Sequence, residues 1–336
     1  MSRFLFGDFD HRVVVGAFRP DPETMLVQDP QHGLPLQTSW LYGFFRDAEG
    51  LTYCIERKFV GSLTSGLFLM TQDGEAGNEL NVHADSGRSA RGELRRVLDG
   101  PERVWHEPVF QRLPAGIVPA GEQPMSLRWT ASGMTYSEGD ILEVAGPSVG
   151  LGVQFYAASR THPMLYTSTC HWARGTVQGR EVAGPLWFDN SYWVHGLEWK
   201  EYGYFNDLQI MWHVFCNAFD DGSFEWGHLV IGRDGFTPGV VINNGEQVTA
   251  TPDLRAKFGM DDNGWPETAT FDLGEVQYEF DGPATGRMTE FSASRWANYR
   301  AQLGRTRQVG DTRTLVDGLT WLEGFADRVA ADGLAI

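Results

Sequence analysis

The stretch Trp187–Trp199, WFDNSYWVHGLEW, sets Asp189, Asn190, Tyr192, His195 and Glu198 among three tryptophans with little other charge. A carboxyl group buried among aromatic rings has its ionised form disfavoured, which raises its pKa towards neutrality and lets it act as a Brønsted acid. Aromatic faces beside it stabilise a developing cation through their quadrupoles. Protonating an alkene, eliminating water or isomerising an apolar molecule needs those parts. FDNS is also ordinary turn chemistry, in which Asp189 would cap backbone amides.

Four histidines, His171, His195, His213 and His228, fall in strand-like segments around and after this stretch. His213, between Trp212 and Phe215, is the strongest acid–base partner, with His195 second. Trp187, Asn190, Tyr192, Trp212, Phe215, Trp226 and His228 are the expected walls of a binding site, Tyr192 being close enough to Asp189 in sequence to share its chemistry. Glu198 and Glu225 each adjoin a tryptophan; Glu225, opposite the His228 face, is expected to point to solvent. No HExxH, HxH or Cys/His cluster points to a metal. The glycine-rich GPSVGLG lies between strand patterns with no helix after it, and no GxxxxGK[ST] loop occurs. Nucleotide, dinucleotide and serine-hydrolase chemistry are therefore disfavoured, and no cofactor is expected.

The elements positioning these residues read as strands. Short apolar or alternating runs (RVVVGAF, WLYGFFRD, LTYCIERKFV, DILEVAG, LGVQFYAASR, TATFDLG) recur between turn signals such as DAEG, GRDG, INNGE and DDNGW. That spacing means antiparallel sheets. MWHVFCNAF and SFEWGHLVIG flank DDG as a hairpin. His213, Phe215, Asn217 and Phe219 share one face of its first strand, and Trp212, Val214, Cys216 and Ala218 the other. Helical periodicity is confined to SARGELRRVLDG (89–100) and to residues 312–333, where Leu315, Leu319, Leu322, Phe325, Ala326 and Val329 fit i, i+3/i+4 spacing despite Gly318 and Gly324. A break between two β halves is expected near 155–185.

The 336 residues are 42% hydrophobic and 13% aromatic, with 40 Gly and 16 Pro, enough for a sizeable core divided by many turns. The net charge of −17 opposes nucleic acid, and no Lys/Arg-rich block offers an exception. Cys54, Cys170 and Cys216 form no CxxC pair and read as buried reduced thiols. The absence of a signal-peptide pattern and of a long apolar run predicts a cytoplasmic protein without membrane insertion.

Read together, GPLWFDNSYWVHGLEW and LQIMWHVFCNAFDDGSFEWGHLV resemble the signature of the carotenoid 1,2-hydratase (hydroxyneurosporene synthase)-like superfamily. There a Gly-led strand enters an aromatic-x-Asp-His-Ser/Glu-Trp motif, followed by a Trp-rich strand and a DDG-type turn. Gly184, Trp187, Asp189 and Ser191 fit; Asn190 replaces the usual His and Tyr192 the usual Trp. Trp212, Asp220, Asp221 and Gly222 match the second part. The resemblance covers residues 180–250 and implies an all-β fold of two tandem lipocalin-like antiparallel barrels. The expected division is 1–170, 171–305 and a helical segment 306–336. The implied function is a cofactor-independent lyase or isomerase of hydration, dehydration or cyclisation type, acting on a hydrophobic isoprenoid or aromatic molecule. A non-catalytic carrier of a hydrophobic ligand is the alternative. Substrate identity and oligomeric state stay open at this point.

Overall fold

The computed structural model describes residues 13–26, 29–60, 63–64, 67–72, 80–82, 88–97, 100–113, 116–119, 125–130, 132–157, 163–194 and 204–336. The described chain is all-β, in two curled antiparallel sheets with a short C-terminal helix. In the first, a ring of pairings runs from Met164–Val177 through Leu142–Gly146, Gly133–Glu138, Met125–Thr130, Gly100–Leu113, Arg88–Val97, Leu63–Thr64, Thr52–Val60 and Leu36–Asp47 to Arg180–Tyr192. It returns to its start because Arg180–Tyr192 also pairs with Met164–Val177, from Leu165↔Tyr192 to Val177↔Arg180. Closure of this kind leaves no free edge along the ring. The second sheet has nine strands, with Gln247–Thr251 at one edge and Arg255–Met260 at the other, and Gln209–Phe219 and Leu315–Phe325 near its middle.

Side-chain alternation then sorts three apolar cores. Leu41, Phe45, Leu186 and Phe188 pack inside the first curl with Trp129 and Tyr136. Ile210, Phe215, Leu229, Phe258, Phe271 and Leu322 fill the second. Between the sheets lie Phe44, Cys170, Trp187, Val214, Cys216, Trp226 and Trp321, with Phe155, Tyr166 and Trp212 beside them. All three cysteines are buried and free. The sheets meet closely at Gly150, where a side chain would run into the Gly245 backbone and where the Leu151 amide donates to the Gly245 carbonyl at 2.8 Å. Asn244 and Gly245 both take positive φ, the two-residue turn signalled by INNGE.

Both helical expectations give way largely to strand. Residues 88–97 form a strand whose register sets Arg91 opposite Glu107 and Arg95 opposite Glu102. Long-range pairing there overrides local helix propensity. In the C-terminal segment, Leu315–Phe325 is a strand and only Ala326–Ala331 is helical. The reason is burial on two faces: Leu319 and Trp321 face the core between the sheets while Leu322 faces the interior of the second. A two-sided strand can mimic helical spacing. Gly318 and Gly324 are not defects there, since a side chain at Gly324 would strike the Ile210 carbonyl.

The expected division at residue 170 falls within the strand Met164–Val177, and the first sheet continues through Tyr192. Its last hairpin turns at Gln178 and Gly179, both at positive φ, and returns to pair with Leu36–Asp47. The expected helical segment from 306 likewise begins inside the strand Tyr299–Gln308.

Candidate functional site

On Arg180–Tyr192, residues 187, 189 and 191 share the outer face, towards the second sheet, while 188, 190 and 192 face into the first curl. Asp189 is paired on one side with Ser168 and on the other with Trp40. The same alternation brings Tyr42 and Tyr166 beside it. A hairpin, Met164–Val177 with Arg180–Tyr192, and the distant strand Leu36–Asp47 thus surround one carboxyl group.

That carboxyl is 3% exposed. Burial pushes its pKa from 3.8 up to about 7, against the opposing pull of the Ser168, Tyr166 and Tyr42 hydroxyls around it. The Tyr166 hydroxyl donates to Oδ2. Oδ1 of Asp189 and the Tyr42 hydroxyl are buried without a hydrogen-bond partner. Burial beside Asp189 holds both tyrosines well above their ordinary range, so they are neutral donors. Behind Asp189 the chain continues into the second sheet, where Nε2 of His228 lies 3.0 Å from Ser168 Oγ. Burial lowers the His228 pKa to about 3, so this imidazole is neutral.

Asp189 lines a cavity of about 110 Å³ between the sheets. Trp40, Tyr42, Phe44 and Tyr166 contribute aromatic walls from the first sheet; Trp212, Trp321 and Tyr299 contribute them from the second. Tyr42 is held by stacking on Trp187, with centroids 5.4 Å apart and planes 13° apart. Tyr166 meets Trp212 edge to face at 4.7 Å. One rim is the turn Tyr204–Leu208, where Arg328 donates to the Phe205 carbonyl at 2.9 Å and also to those of Asn206 and Gln209. Phe205 and Gln209 are cavity residues, so Arg328 fixes their backbone from outside. An apolar enclosure with few convergent polar groups and one perturbed acid is the arrangement of a small-molecule site.

Of the residues singled out in the sequence, Asp189 and Trp212 line this cavity. Trp187 and Trp226 pack behind the wall in the inter-sheet core, and His228 supports Ser168. Asn190 and Tyr192 point the other way. Asn190 accepts from Ser39 Oγ at 2.6 Å and donates to the Met25 carbonyl at 2.8 Å, tying the short helix Pro22–Leu26 to the sheet. His213 and Phe215 lie inside the second curl. There His213 packs 4.5 Å from Phe271 and pairs with Thr306 at 2.9 Å, its pKa lowered to about 3 by burial. His171 is buried against Trp129 inside the first curl. His195 and Glu198 lie outside the described residues.

Glu225 is not a solvated carboxylate. It does oppose His228, but the face opposite is the interior of the second curl, where Tyr278 donates to it at 3.0 Å and Asn217 at 3.4 Å. Burial raises its pKa despite these donors and Arg313. Ser148 in GPSVG sits in an exposed turn and donates to the Gly150 carbonyl at 2.9 Å, an arrangement unrelated to a buried nucleophile.

Tyr42, Tyr166 and Ser168 were missed in the sequence reading. The available signal was that Tyr166 and Ser168 share a face on MLYTSTCHW; what brings that face to Asp189 is strand pairing.

No protein-family model matches the sequence, and no curated protein matches it. Among solved structures, an AttH-like protein of Nitrosomonas europaea aligns over 89% of this chain and 96% of its own, with a TM-score of 0.50 and 15% identity. The two proteins share a fold. The two-sheet architecture implied by the carotenoid 1,2-hydratase-like resemblance therefore extends along most of the chain. Two further solved structures align with this chain at lower TM-scores. CghA, crystallised with Sch210972, has a TM-score of 0.46 and 10% identity over 93% of this chain and 99% of its own. Kievitone hydratase from Nectria haematococca has a TM-score of 0.40 and 10% identity over 92% and 97%. Among the described residues no helix is long and apolar enough to cross a membrane.

Proposed function

We propose that this chain is a lyase or isomerase that uses Asp189 as a proton donor to a hydrophobic isoprenoid or aromatic molecule held between the two sheets. The observation that carries this reading is the state of Asp189: buried, its pKa raised to about 7, and its Oδ1 unpartnered at an aromatic cavity. A carboxylic acid poised near the working pH is best matched to both giving and retaking a proton.

In the forward step the Asp189 proton passes to an alkene carbon or to a departing hydroxyl, and the electron pair of the O–H bond stays on the carboxylate. Tyr166 then stabilises Oδ2 by the hydrogen bond it already makes. The cation formed faces the rings of Tyr42 and Trp212. Addition of water, whose surplus proton passes to the Asp189 carboxylate, gives hydration; loss of a neighbouring proton back to Asp189 gives isomerisation; and loss of water is the reverse of the first. The proton donor and the base that retakes the proton are the same side chain, Asp189. Ser168, supported by neutral His228, keeps a second hydroxyl on the carboxyl and limits how far its pKa rises.

Incubation with a panel of polyenes, prenylated phenols and polycyclic alcohols, followed by mass spectrometry, tests this reading. Asp189→Asn is expected to abolish turnover while retaining binding. Turnover that survives the substitution removes the acid, and binding without turnover by the wild type favours a carrier.

A further inference from the structure

Three buried polar atoms on the cavity wall make no hydrogen bond among the described residues: Asp189 Oδ1, Tyr42 Oη and Gln209 Oε1. The first two stand on the first sheet, at the acid already described. Gln209 stands on the second sheet, and the acid chemistry makes no use of it. Strict alternation along Gln209–Phe219 would set Gln209 on the face of Met211 and His213, inside the second curl. Instead the register against Phe224–Gly232 shifts between Gln209 and Met211. Ile210 and Met211 then both pack in that interior, while Gln209 comes round to the cavity with Trp212. A bulge that re-aims one side chain is a common device beside functional sites. Arg328 donates to the Gln209 carbonyl, which fixes the backbone that carries the amide.

Gln209 is 1% exposed, so its amide oxygen has been taken out of bulk water without a protein partner in return. A ligand that displaces water from such a group without replacing the hydrogen bond forfeits affinity. The amide carries an acceptor and a donor, so it can receive a hydroxyl or give to a carbonyl. Tyr42 Oη, its ring stacked on Trp187, offers a second point from the facing sheet. A bare hydrocarbon filling the cavity would satisfy neither group.

We propose that Gln209 is a substrate-binding residue that reads a hydroxyl or carbonyl oxygen carried on the apolar skeleton, apart from the atom that takes the Asp189 proton. This inference rests on Asp189 being the acid at this cavity, and it narrows the substrate class to oxygenated apolar molecules. Phenols, alcohols and ketones fall within it; polyenes without an oxygen function fall outside.

The test compares 2-naphthol with 2-methylnaphthalene, in which a methyl group replaces the hydroxyl. Each is measured by equilibrium dialysis against the wild type, Gln209→Met and Tyr42→Phe. Methionine keeps the length and unbranched shape of glutamine without its hydrogen bonds. The wild type is expected to bind 2-naphthol about ten times more tightly, and Gln209→Met to lose most of that preference while still binding 2-methylnaphthalene. Equal affinities in the wild type overturn the anchor. So does a preference that persists in Gln209→Met, and its loss in Tyr42→Phe would then assign the oxygen to Tyr42. Loss of both ligands by Gln209→Met makes Gln209 a structural residue and overturns the anchor as well. Each of these outcomes leaves the acid role of Asp189 standing. If neither ligand binds the wild type, the cavity is not a ligand site, and both this inference and the proposed function fall.

Discussion

Replacing Asp189 by Asn removes a carboxyl group whose ionisation burial opposes, and the consequence for stability has a definite sign. In the folded chain the carboxyl titrates at about 7 rather than 3.8 because it is buried. Between those values the native state holds a proton that the unfolded state has lost, so stability falls as pH rises through the window. Each pH unit of difference corresponds to about 1.4 kcal/mol, so the full contribution lost above pH 7 is roughly 4 kcal/mol. Asn is neutral throughout and can still accept from Tyr166. Whatever its stability at pH 4, the Asp189→Asn protein should therefore gain roughly 3 kcal/mol on the wild type by pH 8. Chemical denaturation of both proteins at one-unit intervals from pH 4 to 8 measures that gap, and groups such as Glu225 cancel because both proteins contain them. A constant difference across the series would refute the reasoning, since it would mean that Asp189 ionises in the native state as it does in the unfolded chain.

Tyr166→Phe removes a donor to Asp189 Oδ2, so the Asp189 pKa rises further. The alkaline limb of the pH–rate profile should move to higher pH while kcat falls by about 10- to 100-fold. Asn190→Ala leaves Ser39 and the Met25 carbonyl without their partner, which should cost roughly 2–4 kcal/mol in denaturation with little change in the pH profile. His213→Phe should cost about 1–3 kcal/mol, because the Thr306 hydroxyl keeps its donor Thr320 but loses the His213 ring nitrogen, yet leave the pH dependence of turnover intact. A changed profile in that variant would return His213 to the chemistry.

What the sequence made legible was local. The hairpin across Asp220, Asp221 and Gly222 and the two faces of its first strand follow from alternation, and the structure has Trp212 and Val214 on the cavity side and His213 and Phe215 on the other. Asp189 among aromatics was likewise visible. Alternation also separates 187, 189 and 191 from 190 and 192, so the placing of Asn190 and Tyr192 away from the site was available in principle; proximity in sequence had drawn them towards Asp189. What had no local signal was pairing. Tyr42 and Tyr166 reach Asp189 only because Leu36–Asp47 and Met164–Val177 flank its strand. The solvent position expected for Glu225 fails because the side opposite an aromatic face is outer only in a single-layer sheet, whereas Glu225 is buried on a sheet covered on both sides. Two-sided burial also disguised Leu315–Phe325 as a helix.

The central claim is that Asp189 is a carboxylic acid near neutral pH, and infrared difference spectroscopy of its carbonyl stretch, wild type minus Asp189→Asn, measures this directly. The expected result is a protonated carboxyl band present at pH 5 that disappears with a midpoint near 7. A band already absent at pH 5, with titration near 4, would contradict it.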